Sequence, residues 1–387
     1  MPPTSAQRVR LDSLGDGAAG ELLVKAQQVR LGLRPWHELH DAVRALTRDP
    51  VAADPESCGL FRGAPAVAFA LHTARHPGYE PSLSRLDKHI ATIVEQRLAV
   101  ARARINRGAL PALREFDLIS GLTGLGAYLL NRSKDGELLR DVLRYLVRLT
   151  HPLTSGDDLL PGWWTSHGPS DQADPNWIGG HGNVGIAHGI AGPLSLLAHS
   201  QRRGVTVDGQ AEAMRRILAW IDDYRICDAE SVRWPGLVSR AEHREPLLLQ
   251  SRHPERPSWC YGTPGIARAQ QLAGVALDDC GRQRLAELAL LDCVCDDRQL
   301  DLLEDASLCH GSTGLLLTTW RCAREVGADL RLAEAVPRLR NLRGQRVQPS
   351  HAGLLEGVTG LRLAENTIGD PEDTTRWDAC LLLTAQL

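Results

Sequence analysis

The chain has 387 residues, 43% of them hydrophobic, with 44 Lys and Arg against 47 Asp and Glu for a net charge of −3. That length can bury a large core, and the near-neutral balance argues against a polybasic surface for nucleic acid or for an anionic membrane. No apolar run approaches the roughly 20 residues that span a bilayer, and the N-terminus MPPTSAQRVRLDSLG lacks the apolar centre of a secretory signal. A soluble, cytoplasmic protein is expected, with residues 1–20 flexible. Nine cysteines, an odd number scattered over a long chain, fit reduced thiols better than a disulfide framework.

Along the chain one pattern recurs: a glycine, two residues, a second glycine, then a helix-like apolar run. It reads RGAPAVAFAL, with Ala66 in place of the second glycine, then SGLTGLGAYLL, HGIAGPLSLL, YGTPGIARAQQL, HGSTGLLLTTW and EGVTGLRLA. The copies begin at Gly63, Gly121, Gly189, Gly262, Gly311 and Gly357, 46 to 73 residues apart. That spacing suits one helical hairpin per copy, and its irregularity argues against an open solenoid of identical units.

After the first copy, residues 82–113, containing DKHIATIVEQRLAVARARINRG, admit two readings: a small inserted subdomain or a helix. Further on, ELLRDVLRYLVRL puts Leu139, Val142, Leu143, Leu146 and Val147 on one stripe, and AMRRILAWIDDY does the same with Met214, Ile217, Leu218 and Ile221. These are outer helices with one wet face. Between them the stretch Thr154 to Gly185 is long and irregular, with three tryptophans that either line a peptide cleft or cover the domain as an ordered cap. The helices after the glycines are apolar nearly all round and rich in small residues, which predicts an inner layer. Glycines allow the tight turn at their starts, and Pro193 and Pro264 suit a first helical turn. Strand signals are sparse. Alternating inner and outer helices predict an all-α fold, an α/α toroid of six to seven helical hairpins forming a single domain over residues 1–387, with the inner helix starts converging on one face.

Residues beside the glycines would then meet around one cavity: Asp117, His188, Cys260 with Tyr261, and Cys309 with His310. Zinc takes thiolate and imidazole ligands, and a catalytic site keeps three protein ligands with a fourth position open. Cys260, Cys309 and His310 supply that set, and no fourth cysteine accompanies a glycine pair. Cys293 and Cys295 in LLDCVCDDRQ fall between the motifs and read as packing residues, and Cys322 reads as core. Cys58, Cys227, Cys280 and Cys380 have no histidine or acidic company that marks a site. His181 and His199 flank the third copy and read as structural or solvated.

The segments WCYGTPG, LCHGSTG and NVGIAHGIAGPLSLL resemble, in order, the signature segments of the lanthionine synthetase C-like (lanthipeptide cyclase) family, and the resemblance runs from about Cys58 to the C-terminus. It implies a toroid of seven hairpins around one zinc ion on Cys260, Cys309 and His310. It also implies proton transfer by His188 and roles for Asp117 and for Arg256, four residues before the first zinc cysteine. Six copies are visible, so the seventh hairpin is either degenerate or hidden in a long interval such as Gly189 to Gly262.

The implied reaction adds a cysteine thiol of a precursor peptide to the β-carbon of a dehydroalanine or dehydrobutyrine in the same peptide, closing a thioether ring. A free thiol, with a pKa of about 8.5, is mostly protonated at neutral pH, and zinc would deprotonate it. The resulting enolate needs a proton at its α-carbon, which suits His188. Arg256 could stabilise the enolate oxygen, Asp117 could orient His188 or a nearby cation, and Tyr261 could add a hydrogen bond. Expected partners are the dehydrated precursor peptide and a lanthipeptide dehydratase. Two other classes stay open: zinc-dependent addition of glutathione or another free thiol to electrophilic peptide sites, and a non-catalytic zinc-containing scaffold. A metal-free glycosidase would want paired carboxylates across the cavity, where only Asp117 and Glu356 are on offer.

Overall fold

The structure, a computed structural model, describes residues 12–132, 136–227, 231–370 and 373–384. Seven helices form an inner layer: α1 (Ala18–Arg30), α3 (Ala64–Ala74), α5 (Leu122–Arg132), α7 (Ala191–Arg202), α9 (Thr263–Ala276), α11 (Ser312–Ala323) and α13 (Val358–Gly369). Six alternate with them outside: α2 (Trp36–Leu46), α4 (Glu80–Asn106), α6 (Glu137–Leu149), α8 (Gln210–Asp223), α10 (Cys280–Cys295) and α12 (Leu330–Gln345). Each inner helix packs on the next, and α13 packs back on α1, so the inner layer closes into a ring. Their composition explains the layering. α3 buries nearly every residue, whereas α6 buries Leu139, Val142, Leu143, Leu146 and Leu149 and leaves Arg144 and Arg148 in water.

The seventh repeat lies where flexible chain was expected. Residues 1–11 are outside the described part, but Leu14 is fully buried and Gly17 and Gly20 form a further glycine pair at the start of α1. Among the described residues, the interval from Gly189 to Gly262 holds no second helical hairpin: after α7 and α8 it carries short strands, a five-residue helix (Arg240–Arg244) and turns. Residues 82–113 are mostly the continuous helix α4, so the helical reading of that stretch holds.

Six of the seven copies share one register, in which the second glycine of the pair sits against the carbonyl of a buried residue six positions earlier; in the copy at Gly63, Ala66 stands at that position. A Cβ at Gly265 would come within 1.9 Å of the Trp259 oxygen, and one at Gly314 within 2.1 Å of the Leu308 oxygen. The turn therefore requires glycine at both places. Backbone hydrogen bonds then link neighbouring copies: Leu14 N–H to Phe61 O, Leu118 to Ala187, Ile186 to Cys260, Cys260 to Cys309, Cys309 to Leu355 and Leu354 to Gly15, at 2.7 to 3.3 Å. The seventh junction, between the copies at Leu60 and Leu118, has no such bond among the described residues. Arg97 of α4 fills it, donating to the carbonyls of Pro55 and Cys58 at 2.7 Å and to that of Ser120.

Six strands of two or three residues decorate this ring, more β-structure than the sequence signals suggested. β1 (Leu153–Ser155) pairs with β2 (Asp158–Leu160), β3 (His181–Asn183) with β6 (Leu237–Ser239), and β4 (Ile226–Cys227) with β5 (Val232–Arg233), all antiparallel. The irregular stretch after Thr154 is an ordered cap. Trp163 and Trp164 are buried, Trp163 meets Trp220 edge to face at 5.2 Å, and Trp164 donates to the Gly179 carbonyl. Two of its three tryptophans thus cover the ring, while Trp177 stays half-buried against His181. Among the described residues no helix is long and apolar enough to cross a membrane.

Candidate metal centre and active site

The shared register decides which side chains meet. In three consecutive copies the two residues after the buried carbonyl-bearing residue are Ala187–His188, Cys260–Tyr261 and Cys309–His310. The hydrogen bonds between copies place these dipeptides side by side, Cys260 N–H on the Cys309 carbonyl and Ala187 N–H on the Cys260 carbonyl. Residues 73 and 49 apart in copy starts become neighbours because each hairpin contributes one turn to the same belt.

One ligand atom each from Cys260, Cys309 and His310 lies within 4.8 Å of the others, with Cys260 buried and the other two half-buried. Tetrahedral zinc, with Zn–S about 2.3 Å and Zn–N about 2.0 Å, separates its ligand atoms by roughly 3.5–3.8 Å, so the three fit around one ion with only small adjustment. Two thiolates would balance a dication, and the half-exposed side leaves room for a further ligand. The thiols titrate as a pair: the hydrogen bond from Cys309 holds the Cys260 thiolate down at about 7, against burial, and the same bond together with burial pushes Cys309 up. Asp305 approaches His310, its Oδ2 3.8 Å from Nε2, and is fixed by accepting the Ser307 N–H at 2.7 Å. Nothing in the sequence marked Asp305, because its place depends on how the preceding loop folds back.

Beside this trio, His188 Nδ1 lies 2.6 Å from Asp117 Oδ2. Asp117 is almost completely buried, and its other oxygen accepts the Ser120 N–H at 2.8 Å. With Nδ1–H directed at the carboxylate, Nε2 is the free nitrogen of a ring that is about one-third exposed. Burial opposes the imidazolium, but the hydrogen bond and charge of Asp117 outweigh it, and the His188 pKa is raised. Tyr261 stacks on His188 at 6.1 Å between centroids, and burial pushes its phenol up to about 12. Asn183, a residue the motifs did not flag, accepts the Gly185 N–H through its Oδ1 at 3.1 Å.

Arg256 is exposed, yet its charge acts on both thiols, stabilising their ionised forms. Glu356, exposed at the position equivalent to His310 in the last copy, acts in the opposite sense on Cys309. A second carboxylate, Asp171, also acts on His188 and favours its protonated form.

The other cysteines and histidines sit apart. Cys293 and Cys322 are buried with their thiols pushed up by burial, Cys322 to about 12. Cys58 lies directly under Gly63. His181 is fixed on the His167 carbonyl and His199 on the Leu382 carbonyl, both structurally.

Comparison with known proteins gives the same answer from another direction. The family model described as lanthionine synthetase C-like protein matches residues 9–382. The nisin biosynthesis protein NisC of Lactococcus lactis subsp. lactis is 25% identical over 333 residues, covering 84% of this chain and 77% of that protein. The solved structure of nisin cyclase has the same fold, with a TM-score of 0.80 over 98% of this chain and 94% of that one at 21% identity.

Proposed function

The chain belongs to the lanthionine synthetase C-like family, and on that premise we propose that it is a zinc-dependent lanthipeptide cyclase acting on a dehydrated precursor peptide. The observation that carries this reading is the adjacency of two dissimilar groups: a Cys260, Cys309 and His310 trio spaced for one metal ion, and His188 braced by buried Asp117 beside it. Nisin cyclase and NisC bear names for the same class of work, which supports an enzyme here.

Bound by Cys260, Cys309 and His310, zinc would supply Lewis acidity that lowers the pKa of a fourth-position thiol while leaving its sulfur nucleophilic. In the addition, the peptide thiolate forms a carbon–sulfur bond to the β-carbon of dehydroalanine or dehydrobutyrine, and the double-bond electrons move onto the carbonyl oxygen as an enolate. His188 then gives its Nε2 proton to the α-carbon, and the C=O bond reforms. Asp117 holds Nδ1–H, which sets the ring's orientation and favours the protonated form that can donate. Tyr261 walls one face of the imidazole, and Arg256 provides positive charge near the reacting sulfur. The net change is addition of S–H across C=C, so mass is conserved. We further read the chain as one domain that works with a dehydratase supplying the unsaturated residues.

The test is metal analysis together with turnover. Purified protein should carry about one zinc per chain, lost in Cys309→Ala. It should remove alkylatable thiols from a dehydrated precursor without changing its mass. His188→Asn should keep the zinc and lose the turnover. Zinc-free folded protein, or a His188 variant with unchanged rate, would overturn the reading.

A further inference from the structure

A second feature lies at the opposite end of the inner helices. The residues of the metal centre precede the starts of α9 and α11, whereas a cavity of about 440 Å³ is lined by residues at the far ends of α7 and α11, by the side of α9 and by the segment around Arg376. A helix of that length separates the two by roughly 18 Å at 1.5 Å per residue. Six arginines line this cavity: Arg202, Arg203, Arg268, Arg321, Arg324 and Arg376. The acidic residues of the lining are Glu325 and Asp373.

The carboxylates nearby are already engaged. Glu325 accepts from Arg202 at 2.6 Å and from Arg268 at 3.1 Å. Asp378, fully buried, takes Arg321 at 2.5 Å. Asp373 accepts from the neutral donors Gln27, Thr367 and Thr375. Arg203 donates to the Leu130 carbonyl, and Arg324 lies over the Trp320 ring at 4.8 Å with Arg321 at 4.7 Å over the same ring. Neither Arg203 nor Arg324 has a carboxylate within ion-pair distance among the described residues. Arg30 adds a further cation at the edge, bonding to Thr374. Burial lowers the Arg203 and Arg376 pKa values; the Arg376 charge also disfavours that of Arg203, and the Arg321 charge that of Arg376.

Helix C-termini favour cations, which accounts for Arg202, Arg203 and Arg324 one helix end at a time. It does not account for Arg268, in the middle of α9, or for Arg376, outside the ring helices. Nor does a general excess of basic residues, since the whole chain is net negative. Guanidinium forks converging from four elements on one half-open cavity match a compact anion with several oxygen acceptors. We propose that this cavity binds a phosphate-bearing small molecule carrying at least two negative charges. A cavity of about 440 Å³ favours such a ligand over an extended acidic chain.

The test uses the intact protein with pyrophosphate and inorganic phosphate as probes, read by calorimetry and by thermal shift against chloride at equal ionic strength. Pyrophosphate should raise the melting temperature and bind more tightly than phosphate. The Arg203→Gln, Arg324→Gln double variant, checked for an unchanged circular dichroism spectrum, should bind it at least tenfold more weakly. Arg215→Gln on the surface of α8 should bind it as the wild type does. Absence of binding at millimolar pyrophosphate, equal affinity in the double variant, or tighter binding of a polyglutamate peptide would each overturn the proposal.

Discussion

Asp117 and His188 stand 71 residues apart in the chain and 2.6 Å apart in space, the carboxylate buried and the imidazole partly open. The pairing makes the histidine a defined proton donor: one nitrogen is committed, and the protonated form is favoured. Replacing Asp117 with Asn removes the charge that raises the His188 pKa and leaves burial, which lowers it. The protonated acid would then be lost at lower pH. The alkaline fall in the cyclisation pH–rate profile should therefore move to lower pH in Asp117→Asn, with zinc content unchanged. The maximal rate should drop by about 10²-fold or more, the usual worth of a positioned general acid. A profile that does not move would detach Asp117 from His188's proton.

Arg97 closes the one junction of the belt that lacks a backbone bond, and it does so through the carbonyls of Pro55, Cys58 and Ser120. Arg97→Gln would leave buried acceptors without donors, at about 1–3 kcal/mol for each one fully orphaned. Denaturant unfolding should show that loss. Amide exchange should quicken first in residues 117–121, which carry Asp117, while segments around Cys309 keep their protection.

Gly314 touches the Leu308 carbonyl beside Cys309, and a methyl group there would sit 2.1 Å from that oxygen. Gly314→Ala should cost about 1–3 kcal/mol through displaced backbone. Because the displaced residue adjoins Cys309, weaker zinc retention against a chelator should accompany the loss. A variant with wild-type melting temperature and zinc retention would show that the turn relaxes without moving the ligand.

His199 is buried and bonded to the Leu382 carbonyl, and burial drives its pKa down to about 3. In the unfolded chain it would titrate near 6.5. Its contribution to stability is therefore complete above that value and declines as pH falls toward 3, by about 1.4 kcal/mol per pH unit within the window. Urea midpoints of wild type and His199→Gln measured between pH 7 and 4 should converge as the wild type loses this increment. Parallel curves would mean that the histidine does not stay neutral in the fold.

The contacts that local chain chemistry fixes were legible in the sequence. A glycine pressed on a carbonyl six residues earlier is a demand met within one turn, so five copies, a sixth with Ala66 in that place, the helices they start and the cysteines and histidines riding on them could be read directly. The seventh copy escaped because GAAGELLVKA leads into a helix with Glu21 and Lys25 in place of an unbroken apolar run, and the segment before it gave no apolar signal beyond Leu14. Long-range choices were set only by closure of the ring. Closure put Asp117 on His188 and gathered arginines from four elements at the far mouth, while the fold of the cap buried Trp163 and Trp164 and left Trp177 half out. Asp117 and His188 do not constrain each other through the 71 residues between them; they meet because seven inner helices pack in sequence and the last packs against the first.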